Sequence, residues 1–296
     1  MTMKGIILAG GKGSRLYPLT LVTSKQLLPI YDKPMIYYPL SILMLAGIRD
    51  ILIISTPQDI DRFKALLGTG DSMGITLQYQ VQNSPDGLAQ ALIIGETFLG
   101  SDPCALILGD NIFYGNGLVA QLNDAVHKTT IQREAVVFGY YVNNPKRYGI
   151  VEFDKNYKVI SVVEKPQHPK SNYALTGLYF YPAGVSNMAK KVQPSARGEL
   201  EITSLNEMYL KQNKLSLQIL GRGYSWFDTG TIDSLMEASS FVCSLDKNQS
   251  IKTAVPEEIA HRYGWITDEQ LTKTIEKLGN GPYSRYLKDY IEKKFM

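Results

Sequence analysis

The sequence has few of the features that define metal centres, disulfide scaffolds or membrane proteins. It contains only two cysteines, Cys104 and Cys243, and neither has a cysteine or histidine neighbour at a metal-ligand spacing. We therefore expect two reduced thiols. No apolar run reaches the roughly 18 residues that a membrane helix needs. The apolar run after Lys4 is interrupted by Gly10 and Gly11, so we expect no signal peptide and a cytoplasmic protein.

An excess of charge of either sign is also missing. Lysine and arginine total 31 against 28 aspartates and glutamates, which gives a formal net charge of +3. This balance, without a run of basic residues, argues against nucleic acid or an anionic membrane as a partner. With 44% hydrophobic and 20% charged residues, the 296-residue chain is typical of one large α/β domain with additions, or of two small domains.

Strand and helix patterns alternate through the first half of the chain. Buried strands that alternate with helices are typical of a parallel sheet covered on both faces, whose ligands bind at the carboxyl ends of the strands. We place Pro34 at the first position of the first helix and Gly47 just after its end. The predicted strands are residues 5–9, 50–55, 75–80, 105–108 and 134–141, and the predicted helices are residues 35–46, 60–67, 87–99 and 117–127.

The middle of the chain is richer in strand patterns and the last part is helical. Residues 149–153 and 158–164 predict a hairpin, and residues 173–181 predict a further strand. We therefore divide the chain into a core of residues 1–230 and a C-terminal helical region of residues 231–296. The helices predicted in that region are residues 256–263, 268–278 and 283–295.

A glycine-rich loop follows the first predicted strand. Its glycines let the backbone approach a ligand closely, and its N–H groups form a nest for anions. Arg15 and Lys25 place two cations beside that nest, which suits a polyphosphate. The loop lacks the P-loop string, and Leu16 stands where a dinucleotide fingerprint needs glycine. The sequence therefore predicts a nucleoside triphosphate site of another kind.

Two aspartates are candidates for holding Mg²⁺. Asp110 directly follows the apolar strand of residues 105–108, and Asp228 lies between Trp226 and Gly230. Magnesium usually takes one or two carboxylates together with phosphate oxygens. Each aspartate alone is equally compatible with a helix cap or a turn. One shared ion explains both positions better than two separate caps do.

Two further segments offer groups for a nucleobase and a sugar phosphate. The amide of Gln82 can both donate to and accept from a pyrimidine edge, and Gly87, where we expect a helix to begin, leaves room for the base. Glu164 can accept hydrogen bonds from sugar hydroxyls, and Lys165 can hold a phosphate. The alternatives are an ordinary turn at Gly87 and an ordinary strand end at Glu164.

Together these strings resemble the sugar-phosphate nucleotidyltransferases, and the resemblance extends from Gly5 to at least Thr231. It implies a Rossmann-like α/β core with a mixed, mainly parallel sheet, inserted sugar-binding strands and C-terminal helices. Leu175 departs from the valine that is common at its position. The strings that match are Gly10-Gly11-Lys12-Gly13-Ser14-Arg15-Leu16-Tyr17-Pro18-Leu19-Thr20, Ser24-Lys25-Gln26-Leu27-Leu28-Pro29, Gln82-Asn83-Ser84-Pro85-Asp86-Gly87-Leu88-Ala89-Gln90-Ala91, Leu108-Gly109-Asp110-Asn111, Tyr148-Gly149, Glu164-Lys165-Pro166, Tyr173-Ala174-Leu175-Thr176-Gly177, Gly198-Glu199-Leu200-Glu201-Ile202-Thr203 and Trp226-Phe227-Asp228-Thr229-Gly230-Thr231.

The resemblance also implies an activity. We expect Mg²⁺-dependent transfer of a thymidylyl group from dTTP to glucose 1-phosphate, giving dTDP-glucose and pyrophosphate as the first step towards dTDP-rhamnose for lipopolysaccharide O-antigen. The alternatives are a UTP-dependent uridylyl transfer and a nucleotide-sugar sensor without catalysis. The family usually forms homotetramers and responds to dTDP-rhamnose at a second site. That site is expected at Tyr114, Gly115, Glu258 and Arg262.

The resemblance assigns a role to each matched position. Arg15, Lys25 and Lys165 are the expected catalytic residues, and Asp110 and Asp228 are the expected metal ligands. The expected nucleotide-binding residues are Leu8, Gly10, Gly11, Gly13, Ser14, Arg15, Ser24, Lys25, Gln26, Gln82, Pro85, Gly87 and Asp110. The expected sugar-binding residues are Asn111, Tyr148, Gly149, Glu164, Lys165, Leu175 and Trp226.

Overall fold

The computed structural model describes residues 2–249 and 252–292. The strands are β1 (Lys4–Ala9), β2 (Pro29–Ile30), β3 (Lys33–Pro34), β4 (Asp50–Ser55), β5 (Thr76–Val81), β6 (Cys104–Leu108), β7 (Asn111–Gly115), β8 (Ala135–Tyr141), β9 (Gly149–Phe153), β10 (Val159–Glu164), β11 (Tyr173–Tyr181), β12 (Leu215–Leu220) and β13 (Tyr224–Asp228). The helices are α1 (Tyr37–Leu45), α2 (Ile60–Leu67), α3 (Gln90–Ile94), α4 (Glu96–Leu99), α5 (Leu118–His127), α6 (Val185–Ala189), α7 (Ile202–Lys211), α8 (Ile232–Gln249), α9 (Pro256–Arg262), α10 (Asp268–Leu278) and α11 (Pro282–Ile291).

The central sheet has nine strands and two halves of different character. Strands β6, β1, β4 and β5 run parallel to one another and form the parallel half that the sequence predicts. Beyond β6, strands β11, β9 and β10 pair in antiparallel fashion, and β11 also pairs with β8. Strand β12 lies parallel to β8. The expected α/β class with a mixed sheet is confirmed.

Apolar side chains on both faces of the sheet explain why helices cover it twice. In β1, Ile7 points into the larger core, which also contains Leu40 of α1 and Leu122 of α5. Ile6 points to the opposite face and packs in a second core with Leu92 of α3. Each of these side chains is essentially buried. Full burial of such a side chain contributes roughly 1.5–3 kcal/mol. The two cores therefore hold β1 and β6 in place, and with them the edge of the sheet at which both strands end.

A two-stranded ribbon outside the main sheet is not predicted by the sequence analysis. Strands β7 and β13 pair in antiparallel register, with Asn111 opposite Asp228 at one end and Gly115 opposite Tyr224 at the other. Only glycine fits at position 115, because a Cβ atom there would collide with the Tyr224 ring. The ribbon carries the chain from the end of β6 towards α1 and α8.

The placement of Pro34 at a helix start is wrong. Pro34 pairs with Pro29 in the short β2–β3 hairpin, and α1 begins only at Tyr37. Proline lacks an N–H group, so it is compatible with a helix start and also with a short hairpin strand. The tight turn at Tyr31, where φ is 58°, favours the hairpin. Gly47 follows the end of α1 with a φ of 76°, as predicted.

The single helix predicted for residues 87–99 is also wrong. It is divided into α3 and α4 at Gly95, and Gly87 lies three residues before α3. Gly87 has a φ of 112°, and a Cβ atom there would collide with the Leu200 backbone, so no side chain fits. The remaining predicted elements agree within a few residues, although residues 293–295 of the last predicted helix lie outside the described residues. No described helix combines the length and the apolarity that a membrane crossing requires.

Candidate active site

The glycine-rich loop connects β1 to a short 3-10 turn at Ser14–Leu16. Gly11 and Gly13 have φ values of 92° and 59°, in the left-handed region that glycine tolerates best. The Thr20 hydroxyl donates to the Gly13 carbonyl across 2.7 Å, and Leu16 is completely buried. These two anchors hold the loop in shape, so that its backbone and the Arg15 side chain border the cavities described next.

Two cavities adjoin each other at the carboxyl ends of β1 and β6. We call the first, of about 340 Å³, the nucleotide-side cavity. We call the second, of about 350 Å³, the sugar-side cavity. Five residues line both: Arg15, Leu88, Leu108, Asp110 and Glu199. The remaining walls of the nucleotide-side cavity are Leu8, Gly10, Gly11, Lys25, Gln26, Gln82, Pro85 and Gly87.

Lys25 and Asp110 form a close ion pair at the junction of the two cavities. Burial favours the neutral acid, but the Lys25 ammonium outweighs that effect and lowers the pKa of Asp110 below its ordinary value. Lys25 begins a second 3-10 turn, Lys25–Leu27, further along the chain from the loop. The pair therefore holds a cation beside the glycine nest and keeps the Asp110 carboxylate ionised.

The β7–β13 ribbon brings the second aspartate to the first. Asp228 is the last residue of β13 and lies opposite Asn111, the neighbour of Asp110. Thr229 then donates to the Asp110 carbonyl oxygen from its backbone N–H at 3.1 Å and from its hydroxyl at 2.8 Å. The helix-cap alternative for Asp228 is excluded, because it is Thr231 whose hydroxyl accepts the Ser234 N–H at the start of α8.

The electrostatics of the two aspartates fit a divalent cation. Burial and then the Asp110 carboxylate raise the pKa of Asp228 above its ordinary value. The positive charges of Lys25, Arg15 and Arg147 offset only part of this effect. A hard cation between two such carboxylates would remove their repulsion, and Mg²⁺ commonly binds one or two carboxylates and completes its shell with phosphate oxygens.

The Asn111 side chain forms hydrogen bonds with three residues of this part of the site and holds them together. Its side-chain oxygen accepts hydrogen bonds from Trp226 Nε1 at 2.6 Å and from the Gly177 N–H at 3.0 Å. Its amide nitrogen donates to Asp110 Oδ1 at 3.1 Å. Asn111 is almost fully buried, so one amide hydrogen is all that it can still offer to a ligand in the sugar-side cavity.

Acidic and basic side chains alternate around the sugar-side cavity. Glu164 accepts a hydrogen bond from the Thr203 hydroxyl at 2.6 Å and lies 3.4 Å from the Arg197 guanidinium. Arg197 also pairs with Glu201 at 2.7 Å. Lys165 adopts a φ of 39°, a strained value for a residue with a side chain, and keeps its ammonium 3.3 Å from Glu164. A polar ligand therefore meets fixed acceptors beside fixed cations.

Most of the predicted site residues line one of the two cavities, with three exceptions on the nucleotide side. Gly13 and Ser14 belong to the support of the loop, and Ser24 borders a separate cleft beyond Gly11. All seven predicted sugar-binding residues line the sugar-side cavity: Asn111, Tyr148, Gly149, Glu164, Lys165, Leu175 and Trp226.

Sequence reasoning gave no site role to four charged residues of the cavity walls. Arg147, Arg197, Glu199 and Glu201 line the sugar-side cavity, and Glu199 also lines the nucleotide-side cavity. Arg147 directly precedes Tyr148, Arg197 directly precedes the matched string of residues 198–203, and the two glutamates lie within that string. Their position in or beside the matched motifs was the available signal.

A third cavity, of about 290 Å³, lies at the far end of the β7–β13 ribbon. Tyr114 and Gly115, two of the four predicted regulatory residues, line it. Glu258 and Arg262 do not line it, and instead lie 3.4 Å from each other, with Glu258 accepting a hydrogen bond from Tyr286. The structure therefore does not bring the four residues into one cavity of this chain.

Comparison with known proteins defines the class of this protein. A family model described as nucleotidyl transferase matches residues 4–244. The chain belongs to this nucleotidyl transferase family, and it is a nucleotidyltransferase.

Among its relatives are glucose-1-phosphate thymidylyltransferases. That of Neisseria meningitidis serogroup A is 56% identical over 98% of this chain and 100% of its own length. That of Mycobacterium tuberculosis H37Rv is 51% identical with the same coverage. A crystal structure of a candidate glucose-1-phosphate thymidylyltransferase from Bacillus anthracis, in complex with sucrose, has a TM-score of 0.75 and 40% identity over 87% of this chain and 99% of its own. A UDP-glucose pyrophosphorylase with UDP-glucose has a TM-score of 0.71 at 23% identity, a likeness of fold alone.

Proposed function

We propose that this protein transfers the thymidylyl group of dTTP to α-D-glucose 1-phosphate in the cytoplasm, giving dTDP-glucose and pyrophosphate. The observation that carries the proposal is the pair of adjoining cavities that share Arg15 and Asp110. One has the glycine nest and the Gln82 amide that suit a nucleotide, and the other has the Glu164 and Lys165 side chains that suit a sugar phosphate. The name of the full-length relatives fits this division.

In this mechanism a phosphate oxygen of the sugar attacks the α-phosphorus of dTTP in line, and pyrophosphate leaves. A phosphate monoester has a second pKa of about 6, so the nucleophile is largely ionised at neutral pH and needs no general base. The barrier then lies in alignment and charge repulsion. Arg15 and Lys25 stabilise the charge that grows on the leaving pyrophosphate. Lys165 holds the attacking phosphate near the shared wall.

We assign Asp110 and Asp228 to a Mg²⁺ ion that accompanies the nucleotide. The fit rests on the position of both aspartates in the wall of the sugar-side cavity, where β13 brings Asp228 opposite the neighbour of Asp110. Burial and then the Asp110 carboxylate raise the pKa of Asp228, a repulsion that a cation between the two would relieve. When bound, the ion supplies positive charge to the phosphate oxygens. The chain's own part is to fix the two carboxylates, through the Asn111 amide and the hydrogen bonds of Thr229.

The nearest alternative substrate is UTP. Thymine and uracil differ by one methyl group, which gives roughly 10- to 200-fold discrimination in an apolar pocket. We therefore expect measurable but slower use of UTP. A sensor without catalysis is disfavoured, because Arg15, Lys25 and both aspartates are in place.

We further propose that residues 231–296 form a regulatory and oligomerisation region of a homotetramer, and that dTDP-rhamnose binds the third cavity. The walls of this cavity include Leu45, Phe241 and the Tyr114 ring, which packs edge-on against Phe241 at 5.5 Å. The hydroxyl of Ser41, also in the wall, has no hydrogen-bond partner among residues 2–249 and 252–292. The β7–β13 ribbon offers a route from this cavity to Asn111.

The test of the proposed reaction is product identification. Purified protein with dTTP, glucose 1-phosphate and Mg²⁺ should give dTDP-glucose and pyrophosphate in equal amounts, measured by mass spectrometry and a pyrophosphate assay. Excess chelator should stop both products, and added Mg²⁺ should restore them. Pyrophosphate without dTDP-glucose would contradict the assignment of glucose 1-phosphate as acceptor.

A further inference from the structure

A relay of hydrogen bonds lies behind the wall of the nucleotide-side cavity. The Gln82 side chain lines the cavity, and its Nε2 donates to Gln90 Oε1 across 2.6 Å. Gln90 Nε2 in turn donates to Asp86 Oδ2 at 2.8 Å, and the Asp86 backbone N–H donates to Gln90 Oε1 at 3.3 Å. Gln90 is not part of the cavity wall, so it acts only through Gln82.

The chemistry of Asp86 fixes the direction of every bond in this relay. A carboxylate can only accept, so the Gln90 atom that meets it is the nitrogen. A backbone N–H can only donate, so the Gln90 atom that meets it is the oxygen. The group of Gln82 that faces this oxygen must then be its NH₂ group. The orientation of the Gln82 amide therefore follows from two groups whose polarity cannot change.

Once its nitrogen is engaged, Gln82 presents its oxygen on the other side. This oxygen has no hydrogen-bond partner within the described part of the chain, and it lies 2.7 Å from where a Cβ atom of Gly10 would be. Gln82 is 5% exposed, so the side chain is held in a narrow space between Gly10 and Gln90. The Ala89 N–H donates to the Leu200 carbonyl at 3.0 Å and anchors the start of α3, which carries Gln90.

We infer that Gln90 is a positioning residue that selects thymine and uracil over cytosine by holding the Gln82 oxygen towards the base. The inference rests on the proposed function, in which Gln82 reads the nucleobase. Thymine and uracil have an N3–H group that donates to such an oxygen. Cytosine has a bare N3 that repels it. Without the relay the amide could turn over and present its NH₂ group, which matches cytosine.

The test uses ligands and variants that differ in polarity alone. UDP and CDP differ only at N3 and position 4 of the base, so the ratio of their dissociation constants, measured by calorimetry, reports on amide orientation. Gln90→Leu removes the relay at similar volume and should lower the preference for UDP about 10- to 100-fold. Gln90→Lys places a donor opposite Gln82 and should shift the ratio further towards CDP. The double variant Asp86→Asn with Gln90→Glu keeps an acceptor for Gln82 and should retain the wild-type ratio.

The controls separate positioning from structural damage and from failure of the proposed function. Gln193→Leu changes an exposed glutamine outside both cavity walls and should leave the ratio unchanged. A merely structural role of Gln90 would weaken UDP and CDP binding equally, which would overturn the inference. It would also be overturned if Gln82→Ala lowers the preference for UDP while both Gln90 variants keep it. Absence of pyrophosphate release by wild-type protein with dTTP would instead overturn the proposed function.

Discussion

The nucleotide-side and sugar-side cavities are built by different means, although they share a wall. The first has three glycines in its wall, Gly10 and Gly11 after β1 and Gly87 before α3, and Gly11 and Gly87 adopt positive φ values that suit glycine. The second is made of side chains from distant segments, in which Glu164, Arg197 and Thr203 hold one another. The nucleotide side therefore needs wall positions that carry no side chain, whereas the sugar side depends on the pairing of its side chains.

This difference predicts how each side responds to substitution. On the nucleotide side the few charged side chains act directly on the phosphates, so their loss should lower turnover. On the sugar side Glu164 and Arg197 are paired with other side chains of the wall, so a change there should weaken binding of one substrate.

Lys25→Ala should have the largest effect. Removing one preorganised cation from a developing charge costs on the order of 10²–10³ in rate. Pyrophosphate release under saturating substrates should fall by that factor, while the melting temperature changes little. Lys64→Ala is the matched control, because Lys64 is a half-exposed lysine that pairs with Asp61 on α2. Near-normal turnover of the Lys25 variant would remove Lys25 from the mechanism.

Glu164→Gln should act on one substrate only. The change keeps the shape of the side chain but removes the charge that pairs with Arg197 and accepts from Thr203. We expect the KM for glucose 1-phosphate to rise about tenfold, with the KM for dTTP unchanged, since a hydrogen bond to a charged group contributes about 1.5–3 kcal/mol. Initial-rate kinetics with each substrate varied in turn measure both values.

The control for this variant is Glu152→Gln in the same hairpin. Glu152 accepts a hydrogen bond from the Ser161 hydroxyl at 2.8 Å and lines neither cavity. Its variant should keep both KM values. Equal rises in the two KM values for Glu164→Gln would contradict the division into two sides.

Glu257→Gln should have the smallest effect, and on stability alone. Burial raises the pKa of Glu257, and the hydrogen bond from Tyr283 offsets only part of the rise. A carboxyl group whose pKa is higher in the folded state loses stabilisation as pH rises through that pKa. The variant should therefore melt a few degrees higher than wild type at pH 7, and the difference should vanish below the ordinary carboxyl pKa. A gain of equal size at both pH values would contradict this explanation.

The same contrast explains which parts of the site could be predicted from the sequence. The glycine loop, Arg15 and Lys25 lie within one short stretch, so their proximity follows from the chain itself. Arg197 and Glu199 reach the sugar-side cavity only through the fold of the segment before α7. The helix predicted from Gly87 was wrong because tertiary contact with the Leu200 backbone overrides local preference.

The ribbon and the third cavity were harder still to predict. Strands β7 and β13 are short and lie outside the main sheet, so apolar periodicity gave no signal for them. Without their pairing, nothing in the sequence places Asp228 next to Asn111 or Tyr224 next to Gly115. The predicted regulatory role of Glu258 and Arg262 stays a prediction.

The most direct test of the account is pyrophosphate release by wild-type protein with glucose 1-phosphate and Mg²⁺, compared across dTTP, UTP, CTP, ATP and GTP. We predict fast release with dTTP, slower release with UTP and far less with the other three. Release with a purine nucleotide alone would keep the class of reaction but contradict both the thymidylyl assignment and the reading of the base by Gln82.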